Sequence, residues 1–190
     1  MRFRIMILAA VAAVVALAGC GNRTLYLGVD ALSFTDATKL TKVIGPYPAL
    51  PHPDTISTGE QPLFSENVNL VGGTQQVVDV QAVTITFTAD FDDQYGSGDD
   101  TLRVYMSDKQ TEPMSTLPVV QVPITLISGQ HSPVHAVISG DARVNELFTQ
   151  DQIRVAVTTA LGVPPNQGLS GTIKVTQLRA DVVAKHHRSL

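Results

Sequence analysis

Apolar and polar residues alternate with a period of two over most of the chain beyond about Asn67. That spacing belongs to strands with one face on a core and the other in water. Leu102/Val104/Met106, Val120/Val122/Ile124/Leu126, Val134/Ala136/Ile138 and Ile153/Val155/Val157 are the cleanest runs, and Val68 to Val71 predicts a short strand ended by Gly72-Gly73. The longest signal, Gln76 to Phe91, changes phase partway. Val78, Val80 and Ala82 share one face, whereas Val83, Ile85, Phe87, Ala89 and Phe91 share the other. A period that slips by one residue predicts a bulge or a sheet-switching bend near Ala82. The C-terminal run repeats the slip: Ile173 and Val175 hold one phase; Leu178, Ala180, Val182 and Ala184 hold the opposite one. Long bent strands of this kind suit a sandwich whose edges cross from one sheet to the other.

Pro118 and Pro123 confine their strand to a sheet edge or start. One stretch has a helical period: from Asp141 to Gln150, Val144, Leu147 and Phe148 fall on one face and Asp141 caps the first turn. Seven to nine strands with turn signals between them predict an all-β fold, an antiparallel β-sandwich with one short helix. A small closed barrel is the alternative. Upstream, Leu25-Tyr26-Leu27 reads as a short strand, and Asp36 as the cap of a single helical turn through Leu40. Pro46, Pro48, Pro51 and Pro53 then predict an extended, partly polyproline-like crossing. The expected division is therefore a leader over residues 1–19, a tether and proline-rich segment over 20–55, and the sandwich over 56–190.

The leader differs in kind from the rest. Arg2 and Arg4 precede an apolar run from Ile5 to Leu17, which is short for a bilayer span of about 20 residues. A positive start, an apolar middle and small residues at the end have the proportions of a secretory signal. The chain's single cysteine closes the sequence Leu17-Ala18-Gly19-Cys20. This resembles the lipobox of bacterial lipoproteins. The resemblance implies a diacylglyceryl group on the Cys20 sulfur, with cleavage immediately before it. It also implies anchoring in the bacterial cell envelope, where two or three acyl chains hold what one chain holds only marginally. Gly21, rather than Asp, follows the cysteine. The same resemblance then implies transport to the periplasmic face of the outer membrane where the source has two membranes.

Composition changes its meaning once this leader is set aside. The 190-residue chain carries 13 Lys+Arg against 17 Asp+Glu, a net charge of −4. Without Arg2 and Arg4 the balance is 11 − 17 = −6. No basic footprint for nucleic acid remains. With Cys20 acylated no thiol is left for a disulfide, so the domain is expected to be stable through packing alone.

Candidate chemistry concentrates in the segment Asp90 to Asp100, read as a hairpin loop with five carboxylates: Asp90, Asp92, Asp93, Asp99 and Asp100. Calcium takes six to eight oxygens, and clustered aspartates with backbone carbonyls can supply them. The EF-hand pattern fails here, because counting from Asp90 puts Gly96 one place late and Thr101 where the bidentate Glu belongs. The competing reading is a solvated turn whose Asp and Gly residues serve turn chemistry. His131 and His135 share a strand face, but about 13 Å of extended chain separates them, too far to ligate one zinc ion easily. His186-His187, between Lys185 and Arg188, form a basic tail able to meet anionic headgroups.

Gly168-Leu169-Ser170-Gly171 has the wrong spacing for a nucleophile elbow, and no phosphate-binding glycine motif occurs. The glutamates, Glu60, Glu66, Glu112 and Glu146, sit in no telling context. The expectation is a non-catalytic protein whose partners are the membrane, through Cys20, and another envelope protein. A calcium-assisted adhesion or carbohydrate-binding module is the alternative, weakened by the scarcity of aromatics, and a hydrolase comes third.

Overall fold

The computed structural model describes residues 23–47, 49, 54–70 and 79–186. Cys20 lies outside them, as do Gly72-Gly73, Val78 and His187-Arg188. Among the described residues eight strands are formed: β1 (Arg23–Asp30), β2 (Thr41–Tyr47), β3 (Ile56–Asn69), β4 (Asp79–Asp108), β5 (Val120–Ile127), β6 (His131–Ser139), β7 (Gln152–Val163) and β8 (Leu169–His186). A single α-helix, α1 (Ala142–Leu147), and three 3-10 turns complete the described elements. The fold is all-β and antiparallel, as the alternation predicts.

One strand organises both layers. The first half of β4 pairs with β6 on one side and β8 on the other; its second half, from Ser97, pairs with β5 and β7. β8 is flanked in turn by β2 along its first half and β1 along its second. β3 closes the other layer against β7. Val83, Ile85, Phe87, Ala89 and Phe91 of the first sheet meet Leu102, Val104, Met106, Ile153, Val155 and Val157 of the second, all nearly inaccessible. Among the described residues no ladder joins β3 to β1 or β2, so this is a sandwich rather than a closed barrel.

Both expected phase slips are bulges. The register of β4 against β8 jumps between Val80 and Ala82, leaving Gln81 extra, and between Thr88 and Ala89, leaving Thr176 extra on β8. An extra residue flips the parity. Ile173, Val175, Leu178, Ala180, Val182 and Ala184 therefore all reach the core. The sheet crossing lies elsewhere, at Gly96. Gly96 holds φ +92°, and a Cβ there would lie 1.7 Å from the Gly168 carbonyl oxygen. Only glycine fits both constraints. The bend is clamped from two sides: Gly96 N–H donates to Ser128 Oγ at 3.3 Å, and Ser97 N–H to the Gly168 carbonyl at 3.1 Å.

Two expectations need correction. Asp90 to Asp100 is not a hairpin loop, because β4 runs through it without a break and both neighbours stay hydrogen-bonded to it. Nor are residues 20–55 all tether: β1 and β2 are paired into the sheet, so the folded unit includes residues 23–47. The edge position expected for Pro123 is found, since among the described residues β5 pairs only with β4. Asp36 caps its 3-10 turn through Thr38 N–H, and Asp141 caps α1 through Val144 N–H at 2.9 Å.

Candidate functional site

Continuity of β4 decides what the five aspartates can do together. In a strand, successive side chains alternate between faces. Asp90 and Asp92 therefore stand on the outer face of the first sheet, while Asp93, Gly98 and Asp100 turn inward. Asp99 is outward again, on the second sheet, beside Thr125 Oγ1 at 3.3 Å. The bend at Gly96 separates the two groups. Among the described residues no group of three or more His, Cys, Asp or Glu side chains is arranged to hold a metal.

Each carboxylate has instead an individual setting. His131, brought opposite by the β4–β6 register, places Nδ1 2.6 Å from Asp92 Oδ1 and Nε2 3.3 Å from Asp90 Oδ1. Its hydrogen bond to Asp92 and the charge of both aspartates raise the imidazole pKa above its ordinary value. His135 points the same way but pairs with Thr88 Oγ1 at 3.2 Å, so the two histidines serve different partners. Asp93 accepts Tyr95 N–H at 3.0 Å through one oxygen, while the other is buried without a partner among the described residues. Burial raises its pKa. Asp100, 1% exposed, accepts Thr159 Oγ1–H and Ala160 N–H at 2.7 and 3.0 Å. Burial still outweighs those donors and raises its pKa.

A second polar cluster, unmarked in the sequence, sits across the outer face of the second sheet. Glu60 on β3 accepts from Tyr105 Oη at 2.7 Å and Thr158 Oγ1 at 2.5 Å, with Arg103 Nη1 at 3.8 Å. Burial pushes the Glu60 carboxyl up, but the two hydroxyl donors and the guanidinium prevail and hold it below its usual value. Tyr105 is driven to about 12, by burial first and by the Glu60 carboxylate second. Glu66 pairs with Lys39, and Glu112 with Arg154 at 3.0 Å. These glutamates cross-link strands and loops. Such networks fix register and neutralise charge on a sheet face.

No protein-family model matches the chain, and no curated protein matches it. Among solved structures it is similar to part of dimeric latent PorU from Porphyromonas gingivalis, with a TM-score of 0.37 and 8% identity over 92% of this chain and 14% of that one. It is also similar to chains of infectious bursal disease virus. The Gt strain gives a TM-score of 0.39 and 11% identity over 96% of this chain and 46% of that one. The Gx strain gives 0.38 and 11% over 95% and 46%. Overlaps this loose carry no argument about function.

Proposed function

We propose that the chain is the precursor of a lipid-anchored, non-catalytic protein of the bacterial cell envelope, in which acyl chains on Cys20 hold an antiparallel β-sandwich at a membrane surface. The observation that carries this reading is the single cysteine at the end of Leu17-Ala18-Gly19-Cys20, behind a positive start and a short apolar run. Gly21 after the cysteine favours the periplasmic face of the outer membrane where two membranes exist. The thiol suits the attachment because its thiolate is the nucleophile.

The partner in this reading is another envelope protein. Among the described residues β5 and β6 pair only with β4, and β3 only with β7, so each offers one strand edge there. Strand addition to such an edge gives affinity through main-chain hydrogen bonds. Confinement to a surface raises the effective concentration of the domain against a partner in the same envelope. In this reading the acidic segment is structural, with His131, Thr125 and Thr159 set against four of its five aspartates.

Labelling with radioactive palmitate in a bacterial host tests the reading. The native chain should take up label and sediment with membranes, whereas Cys20→Ser should do neither. Equal labelling of the two forms would refute the anchor.

A further inference from the structure

Resting on the anchored reading, we infer that the outer face of β1 is a second, non-covalent membrane contact, with Tyr26 at the lipid interface and Lys185 against anionic phospholipid headgroups. Only Gly21 and Asn22 separate Cys20 from the first residue of β1. Six residues span at most about 20 Å of extended chain, so an anchor on Cys20 keeps Tyr26 within that distance of the bilayer. Tyr26 is 79% exposed, the most exposed of the large apolar side chains among the described residues.

The surroundings of Tyr26 match an interface rather than open water. Thr24, Tyr26, Gly28 and Asp30 share the outward face of β1. The register sets Tyr26 beside Val183 of β8, which stands beside the exposed Ala82 of β4, giving an apolar row across three strands. In the row nearer the anchor stand Thr24, Lys185 and Asp79. By sequence, Arg23 adds a cation at the start of β1 and Arg188 another just past β8. In sequence, Arg23, Lys185 and Arg188 thus belong to the start of β1 and the end of β8, against one acid, Asp79, at the start of β4, on a chain that carries −6 without its leader. Farther from the anchor the face changes character: Asp181 is bound by Arg179 at 2.6 Å, with Asp30 two positions from Gly28. An amphipathic aromatic beside cations is the side-chain chemistry of a membrane interface. Acyl chains alone would leave the domain free to swivel. A second contact at this row would fix which edges of the sandwich face outward.

The experiment uses two features of the sequence, one cysteine and no tryptophan. The chain from Cys20 onward is coupled through its thiol to a maleimide phospholipid in vesicles of phosphatidylethanolamine and phosphatidylglycerol. Tyr26→Trp is the reporter. Tyr95→Trp is the control, at a 50%-exposed position roughly 40 Å away along the first sheet. Trp at position 26 should emit at shorter wavelength than in lipid-free buffer and be quenched by brominated lipid more strongly than Trp at position 95. Adding Lys185→Gln should lower the ratio of docked to undocked domain about fivefold. Water-like emission at position 26, with quenching equal to the control, would overturn the inference. So would a blue shift in lipid-free buffer that grows with protein concentration, which would assign the row to self-association. Chemical coupling makes the result independent of processing in cells, so its failure would leave the lipobox reading standing, and the reverse.

Discussion

Replacing Asp100 separates the two things its carboxylate does. It accepts Thr159 Oγ1–H and Ala160 N–H in the interior, and it carries a charge that burial disfavours. Asp100→Ala removes the acceptor and leaves two buried donors. At about 1–3 kcal/mol for each, the loss is about 2–6 kcal/mol, or a fall in Tm of roughly 5–20 °C for a domain of this size. Asp100→Asn keeps an oxygen for both donors and removes the charge. The pH dependence follows from the raised pKa. The folded state binds the proton more tightly than the unfolded one, so the contribution is full below the unfolded value of about 3.9 and is lost as pH rises through the folded value. Urea denaturation between pH 3.5 and 7 measures the difference between wild type and Asp100→Asn, which cancels the other acids. Wild type should lose ground to the variant as pH rises. A difference that stays constant, or an Asp100→Ala protein as stable as wild type, would refute the reasoning.

Gly96→Ala places a methyl against the Gly168 carbonyl at a positive φ, and the chain should lose its cooperative unfolding transition by circular dichroism. His131 should titrate above 6.5 by NMR, with its ion pair formed at lower pH and lost as pH rises through the raised pKa, and Asp92→Asn should bring the pKa back toward 6.5. In an ultraviolet titration of the four tyrosines, one should ionise last, near 12; Tyr105→Phe should abolish that step and Glu60→Gln should lower it.

Core parity made the bulges at Gln81 and Thr176 legible, because a slipped period has one physical meaning when all the apolar residues must face one interior. The acidic segment misled for an equally physical reason. Asp and Gly together are turn chemistry, yet here glycine bends a strand that never stops pairing, and its aspartates divide between two faces and two sheets. Pro48, Pro51 and Pro53 lie outside the described residues, but Pro46 and Pro62 fall at register shifts on β2 and β3, which among the described residues each pair with one neighbour, so a missing N–H costs those strands little. The cluster at Glu60 had no local signal at all. Its hydroxyl partners lie 45 and 98 residues away, and only register brings them together. The expectation for Cys20, by contrast, rests on four adjacent residues and the apolar run before them, a signal that needs no tertiary contact and lies outside the described residues.

The anchor on Cys20 is the claim on which the rest of the functional account stands, and the sequence offers a direct way to weigh it. Trypsin cuts after Arg23, so the processed protein should release the four-residue peptide Cys20-Gly21-Asn22-Arg23. Mass spectrometry of the membrane fraction should find that peptide beginning at Cys20 and heavier by a diacylglyceryl group. A peptide running from Ile5 to Arg23 with a free thiol, or one that begins at any other residue, would contradict the account.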